Sequence, residues 1–128
     1  MALHYEVLED TQLVRIHISG APTSEQMLHL VDEILADTRL HTGFALLSDH
    51  REIDHPATPE QVKAILARVA SHANERAPSR MAVLVATSAS YGMMRMMSAT
   101  AAPTGFEVQP FYEEVVALAW LRQRALPE

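Results

Sequence analysis

The residues best suited to chemistry fall in two short stretches. Asp49-His50-Arg51 offers a carboxylate, an imidazole and a guanidinium in succession, and Ser88, Tyr91 and Arg95 add a hydroxyl, a phenol and a second guanidinium. A guanidinium fork near a helix N-terminus suits a carboxylate or phosphate headgroup. Asp49, His50 and Tyr91 would serve acid–base work if a fold brought them together. The structural alternative is an ion pair between Asp49 and Arg95, tying a strand to a helix.

Met93, Met94, Met96 and Met97 form a second feature. Residues advance 100° each around a helix, so these four cannot share one face. Met93, Met96 and Met97 are expected to face the sheet, leaving Met94 pointing elsewhere. Flexible thioethers suit an adaptable apolar surface, such as a lipid pocket or a partner helix. Ordinary core packing is the plainer reading.

Other chemistries lack their signatures. His50, Asp54 and His55 lie close together, but no helical i, i+4 histidine pair accompanies them, and no metal is expected. The chain has no cysteine, which excludes disulfides, thiolate nucleophiles and cysteine-based metal centres. Thr87-Ser88-Ala89-Ser90-Tyr91-Gly92 does not match the G-x-S-x-G elbow, and no dinucleotide or P-loop motif is present. An aspartate after the third strand would suit phosphoryl acceptance, but the lysine that should follow a later strand is missing; the single lysine, Lys63, falls in a helical stretch.

Composition narrows the partners. The net charge is −6, with 10 basic residues against 16 acidic ones and no Lys/Arg run, so nucleic acid is not expected as a main partner. The first 20 residues lack the basic and apolar regions of a signal peptide. The longest apolar run covers residues 81–86, against about 20 needed to span a bilayer. No membrane span and a cytoplasmic location are expected.

The elements that must position these residues can be read from periodicity. Alternation over residues 4–8 and 13–18 marks two half-buried strands joined by a hairpin turn. Ser19-Gly20-Ala21-Pro22 is expected to break the second strand. Thr23 and Gln26 form a capping box for a first helix over residues 24–37, with Met27, Leu30, Val31, Ile34 and Leu35 on its apolar stripe. Residues 43–48 are apolar on both faces and read as an interior parallel strand, followed by a polar loop over 49–57. Thr58, Pro59 and Gln61 start a second helix, whose stripe runs Val62, Ile65, Leu66, Val69, Ala70 and Ala73, to about Glu75.

Residues 81–86 carry no polar side chain and are expected to form the central strand. A third helix starts at Ser88 or Ser90 and stops before Pro103; a short strand covers 106–108; a last helix runs from Tyr112 to Arg124. That helix is apolar almost all round, with Trp120 locking it onto the sheet or part of its face meeting a second subunit. The order ββαβαβαβα describes one α/β domain over residues 1–128. Its sheet of five strands is mostly parallel with an antiparallel edge hairpin, and one face is only partly covered at the margins.

Tyr91-Gly92-Met93-Met94-Arg95-Met96 resembles the Tyr-Gly-x-x-Arg-Met segment opening the third helix of SpoIIAA-like (STAS-like) proteins. Phe111, Ala117, Trp120 and Leu121 resemble their Phe-x5-Ala-x2-Trp-Leu ending, and Asp49-His50-Arg51 their Asp-x-Arg. With the strand order, the resemblance covers nearly the whole chain. It implies a small non-enzymatic α/β domain, often dimeric, with some relatives linked to lipid or small-ligand binding. The better-known relatives are anti-sigma-factor antagonists switched by phosphorylation of a serine in an Asp-Ser-Ser-Gly-like turn. Here Ser48 precedes Asp49, and His50, Arg51 and Glu52 follow, so no hydroxyl stands at the phosphoacceptor position.

The leading expectation is a non-enzymatic domain binding a small amphipathic molecule, without a cofactor. Asp49, Arg51, Ser88, Tyr91, Met94 and Arg95 would line the site, at the carboxyl ends of the strands. Met94 would meet an apolar tail, and Arg95 or Arg51 a headgroup. A homodimer through the third and fourth helices is the second expectation, and an enzyme the third.

Overall fold

Two half-buried strands open the chain. The structure, a computed structural model, describes residues 1–72 and 76–123. Ala73 and Glu75, expected in the second helix, and Arg124, expected in the last, lie outside the described residues. Strand β1 (Leu3–Leu8) pairs antiparallel with β2 (Leu13–Gly20), Leu3 opposite Ile18 and Leu8 opposite Leu13. Gln12 makes the turn with a left-handed φ of 52°. Its side-chain amide donates to the Glu9 and Arg39 carbonyls, and its Oε1 accepts the His41 N–H, which holds this conformation in place.

Helix α1 (Ser24–Leu35) begins with the expected capping box: the Gln26 N–H donates to Thr23 Oγ1 and the Thr23 N–H to Gln26 Oε1. Helix α2 (Pro59–Ser71) repeats the device with Thr58 and Gln61. Between them runs β3 (Ala45–Ile53), then come β4 (Arg80–Leu84), α3 (Ser88–Ala101), a 3-10 turn (Ala102–Thr104), β5 (Glu107–Phe111) and α4 (Glu114–Leu121).

The strands lie in the order β1-β2-β3-β4-β5, with only the first pair antiparallel. Each crossover therefore steps the same way across the sheet. Right-handed connections then place α1, α2 and α3 on one face. Helix α4 folds back over the other, against β3, β4 and β5.

Two cores result. Under α1–α3 lie Val14, Ile16, Leu30, Ile34, Phe44, Val62, Val83 and Met97. Under α4 lie Leu13, Ala45, Leu47, Ala82, Leu84, Ala117 and Leu121. Trp120 packs its ring on Phe111 at 5.6 Å and lies beneath the Arg80 guanidinium, 4.7 Å from the ring centroid, so the indole does hold α4 to the sheet. The α4-side face of β1 and β2 stays open, as the alternation implied, and carries exposed His4 and Glu6 beside half-buried Arg15 and His17.

Four expectations need correction. The central strand is β3, not β4; after Arg80, β4 is apolar from Met81 to Leu84 because both its faces are covered, which an off-centre strand also achieves. Strand β2 continues through Ser19 to Gly20, whose φ of 72° then turns the chain. Strand β3 runs to Ile53 through residues expected to form a loop, because β2 offers it partners as far as Gly20. Strand β5 reaches Phe111 and tolerates Pro110 because it is an edge.

Candidate functional site

Successive side chains of β3 point to opposite faces. Leu46 packs under α1–α3, and Ser48 and His50 follow it on that face; Leu47 packs under α4, and Asp49 follows it there. Pairing with β2 then shifts register, with His17 opposite Asp49 but Ser19 opposite Glu52. This bulge inserts one residue into β3. It turns Arg51 and Glu52 both toward the α4 side, where Glu52 lies 3.5 Å from His17, and returns Ile53 to the face that holds His50. Bulges re-aim side chains in this way beside functional sites.

On the α1–α3 side, His50 and Ile53 open onto a cleft of about 200 Å³ at the carboxyl ends of β2 and β3. Ile18, Met27, His55, Ala57, Thr58 and Gln61 are among the residues that share its wall. A smaller chamber of about 70 Å³ lies deeper, under α1, α2 and α3, lined by Ser48, Met81, Met94 and Met97 among apolar neighbours. Ile18, Met27, His50 and Ala57 border both spaces.

Ser48 and His50 are the polar residues of the deeper chamber, whereas His55, Thr58 and Gln61 add polar groups at the outer cleft. Ser48 is 2% exposed, and its Oγ lies 2.8 Å from His50 Nε2. Burial pushes the His50 pKa down to about 4, against a weaker upward pull from the Asp49 carboxylate, so the imidazole is neutral at pH 7. No Arg or Lys lines either space among the described residues.

The residues expected to form one site are dispersed. Asp49 and Arg51 lie across the sheet from the cleft and bind one another: the Arg51 backbone N–H and Nε–H donate to Asp49 Oδ1 at 3.0 Å, and its Nη2–H to Oδ2 at 2.8 Å. The Arg51 hydrogen bonds hold the Asp49 carboxyl below its ordinary pKa. Arg51 also approaches Glu114, which Arg15 holds at 2.8 Å.

Asp49 therefore pairs with Arg51 and not with Arg95, because the chain returns a guanidinium to Asp49 two residues on. Arg95 is exposed on α3. Ser88 is exposed at the start of that helix, and Tyr91 stacks on Tyr112 at 5.0 Å, beside the end of β5.

Met94 alone of that set reaches the cavity. The inward stripe of α3 is Ser90, Met94, Met97 and Ala101, with Met94 3% exposed; Met93 and Met96 occupy the flank. The assignment of Met94 away from the sheet is thus overturned, since Ser90, Met94, Met97 and Ala101 recur at the three- and four-residue spacing of one helix face and that face is the buried one.

Sequence reasoning missed Ser48 as a polar group inside an interior strand, and placed His50 in a loop. The signal available was the continued alternation Leu46, Ser48, His50. The histidines His50 and His55 both border the cleft, but no cluster of three metal-ligating side chains occurs among the described residues.

Residues 13–122 match the family described as SpoIIAA-like. The chain belongs to the SpoIIAA-like family. The resemblance in Tyr91–Met96 and in the Phe111–Leu121 ending thus reflects true membership. A solved structure from Shewanella loihica, an uncharacterised protein of the DUF3478 family with a SpoIIAA-like fold, is similar in architecture. It shares 23% identity and a TM-score of 0.61, over 94% of this chain and 92% of that one. At that identity the likeness concerns the fold. None of the curated proteins matches the chain. No helix among the described residues of this SpoIIAA-like domain is long and apolar enough to cross a membrane.

Proposed function

We propose that this SpoIIAA-like domain is a non-enzymatic binding domain for a small, mainly apolar molecule, held in the cleft between the sheet and helices α1 and α2. The observation that supports it is the Ser48–His50 pair in the wall of the deeper chamber, whose lining is otherwise apolar, with His50 also bordering the outer cleft. Ligand sites are of this kind: concave and apolar, with a few convergent polar groups. They also lie at the carboxyl ends of strands in open α/β sheets.

The combined space is smaller than the ~300–1,000 Å³ of pockets for drug-sized ligands. It therefore suits a compact ring or short chain better than a long acyl tail. Met94 and Met97 serve the apolar part, and His50, in place of Arg51 or Arg95, is the polar anchor. A binding role is favoured over catalysis because Asp49 and His50 project from opposite faces of β3, so the acid–base set of Asp49, His50 and Tyr91 is not assembled.

Native mass spectrometry of the freshly purified domain tests this reading. An added small mass that is lost on denaturation is expected, together with its loss in Met27→Trp, which fills the cleft. An apolar fluorescent probe that binds wild type and Met27→Trp equally would overturn it.

A further inference from the structure

The hydrogen bond between Ser48 and His50 has a direction. Ser48 Oγ–H has no acceptor other than His50 among the described residues, and at 2% exposure the hydroxyl has little access to solvent. A hydroxyl in that position donates, and the imidazole Nε2 accepts. A neutral ring that accepts at Nε2 carries its proton on Nδ1. That Nδ1–H has no hydrogen-bond acceptor among the described residues. His50 is half-buried at the cleft, so this N–H is left for water or a bound molecule to accept. The ring borders both the cleft and the chamber, so a molecule bound in either space lies against it.

We propose that the cavity selects a small apolar molecule bearing an uncharged carbonyl, as in a ketone, ester or lactone, whose oxygen accepts the Nδ1–H of His50. The inference rests on the cleft being a ligand site. A carboxylate fits poorly: no Arg or Lys lines either space among the described residues, and an unpaired charge is costly to bury. A plain hydrocarbon fits the walls but leaves the donor unpaired.

Cyclohexanone, cyclohexane and cyclohexanecarboxylate form a matched probe series. Wild-type protein with ¹³C-methyl methionine would report occupancy through Met27, Met94 and Met97, and long-range ¹⁵N–¹H spectra would report the His50 tautomer. Cyclohexanone is expected to bind at least tenfold tighter than either companion, with the proton on Nδ1 in the free protein and its resonance shifted on binding. His50→Gln serves as a second probe and is expected to weaken cyclohexanone selectively. A proton on Nε2 in the free protein, or equal affinity for ketone and hydrocarbon, would overturn the carbonyl assignment and leave the cleft reading standing. Methionine methyls that respond to none of the three would sink both.

Discussion

Ser48 Oγ and His50 Nε2 meet at 2.8 Å on the helix-covered face of β3, while Asp49 between them turns to the other face and is held by Arg51. Three consecutive polar residues thus separate into two systems, one inside the protein and one near its surface.

Ser48→Ala removes a buried hydroxyl and the partner of His50 Nε2 without adding volume. Stability should fall by about 1–3 kcal/mol, the cost of a buried polar atom left unpaired. Urea denaturation of both proteins measures it, and an unchanged midpoint would contradict the buried hydrogen bond.

His50 also sets a pH dependence. Its pKa is about 4 in the folded chain against an ordinary 6.5. Between these values the unfolded chain binds the proton and the folded chain does not, so stability rises with pH. The contribution is complete above about 6.5, is lost as pH falls to about 4, and amounts in full to about 3 kcal/mol. Asp37 and Asp49, both held below their ordinary 3.8, act in the same direction but in a lower window. Denaturant melts from pH 4 to 7 should show the rise, and His50→Phe should flatten it.

Thr58 caps α2 and lines the cleft. Thr58→Ala should cost about 1 kcal/mol and, by loosening the first turn of α2, should speed hydrogen exchange at Gln61 and Val62. Protection unchanged at those two amides would detach the cap from the cleft wall.

Met94→Ala should destabilise by about 2–5 kcal/mol, as expected for a side chain deleted from a packed core. The same change enlarges the inner chamber, so bulkier apolar probes should gain affinity. A loss below about 0.5 kcal/mol, typical of exposed sites, would place Met94 at the surface.

Trp120 is the chain's single tryptophan. Trp120→Ala should cost about 3 kcal/mol, because the indole joins Phe111 and Arg80 to α4. In the wild type its fluorescence should report α4 docking directly, with an emission shift to the red at the same denaturant concentration at which circular dichroism is lost.

The scaffold was legible wherever local rules act alone. Thr23 with Gln26 and Thr58 with Gln61 announce helix starts because capping needs only residues three apart. The alternation in β1 and β2 announces strands with one dry face. The site was less legible because it depends on pairing. Asp49 to Ile53 are polar enough to read as a loop, and only hydrogen bonding to β2 keeps them extended. The choice of Asp49 and Arg51 over Ser48 and His50 followed from charge, whereas strand parity and the bulge decide which residues face the cavity. The rotation of α3 likewise shows only in which of its residues are buried, Ser90 and Ala101 beside Met94 and Met97, which methionine spacing alone does not encode.

The strand order has a consequence for synthesis. Because β1 to β5 lie side by side in the order in which they leave the ribosome, each βα unit can dock on a finished neighbour during translation. The opposite face is different. Leu47, Ala82 and Leu84 stay bare on the nascent sheet until β5 and α4 emerge, so the growing chain is most open to chaperone capture and to aggregation just before α4 arrives, and ribosome pausing there would lower the yield of folded protein.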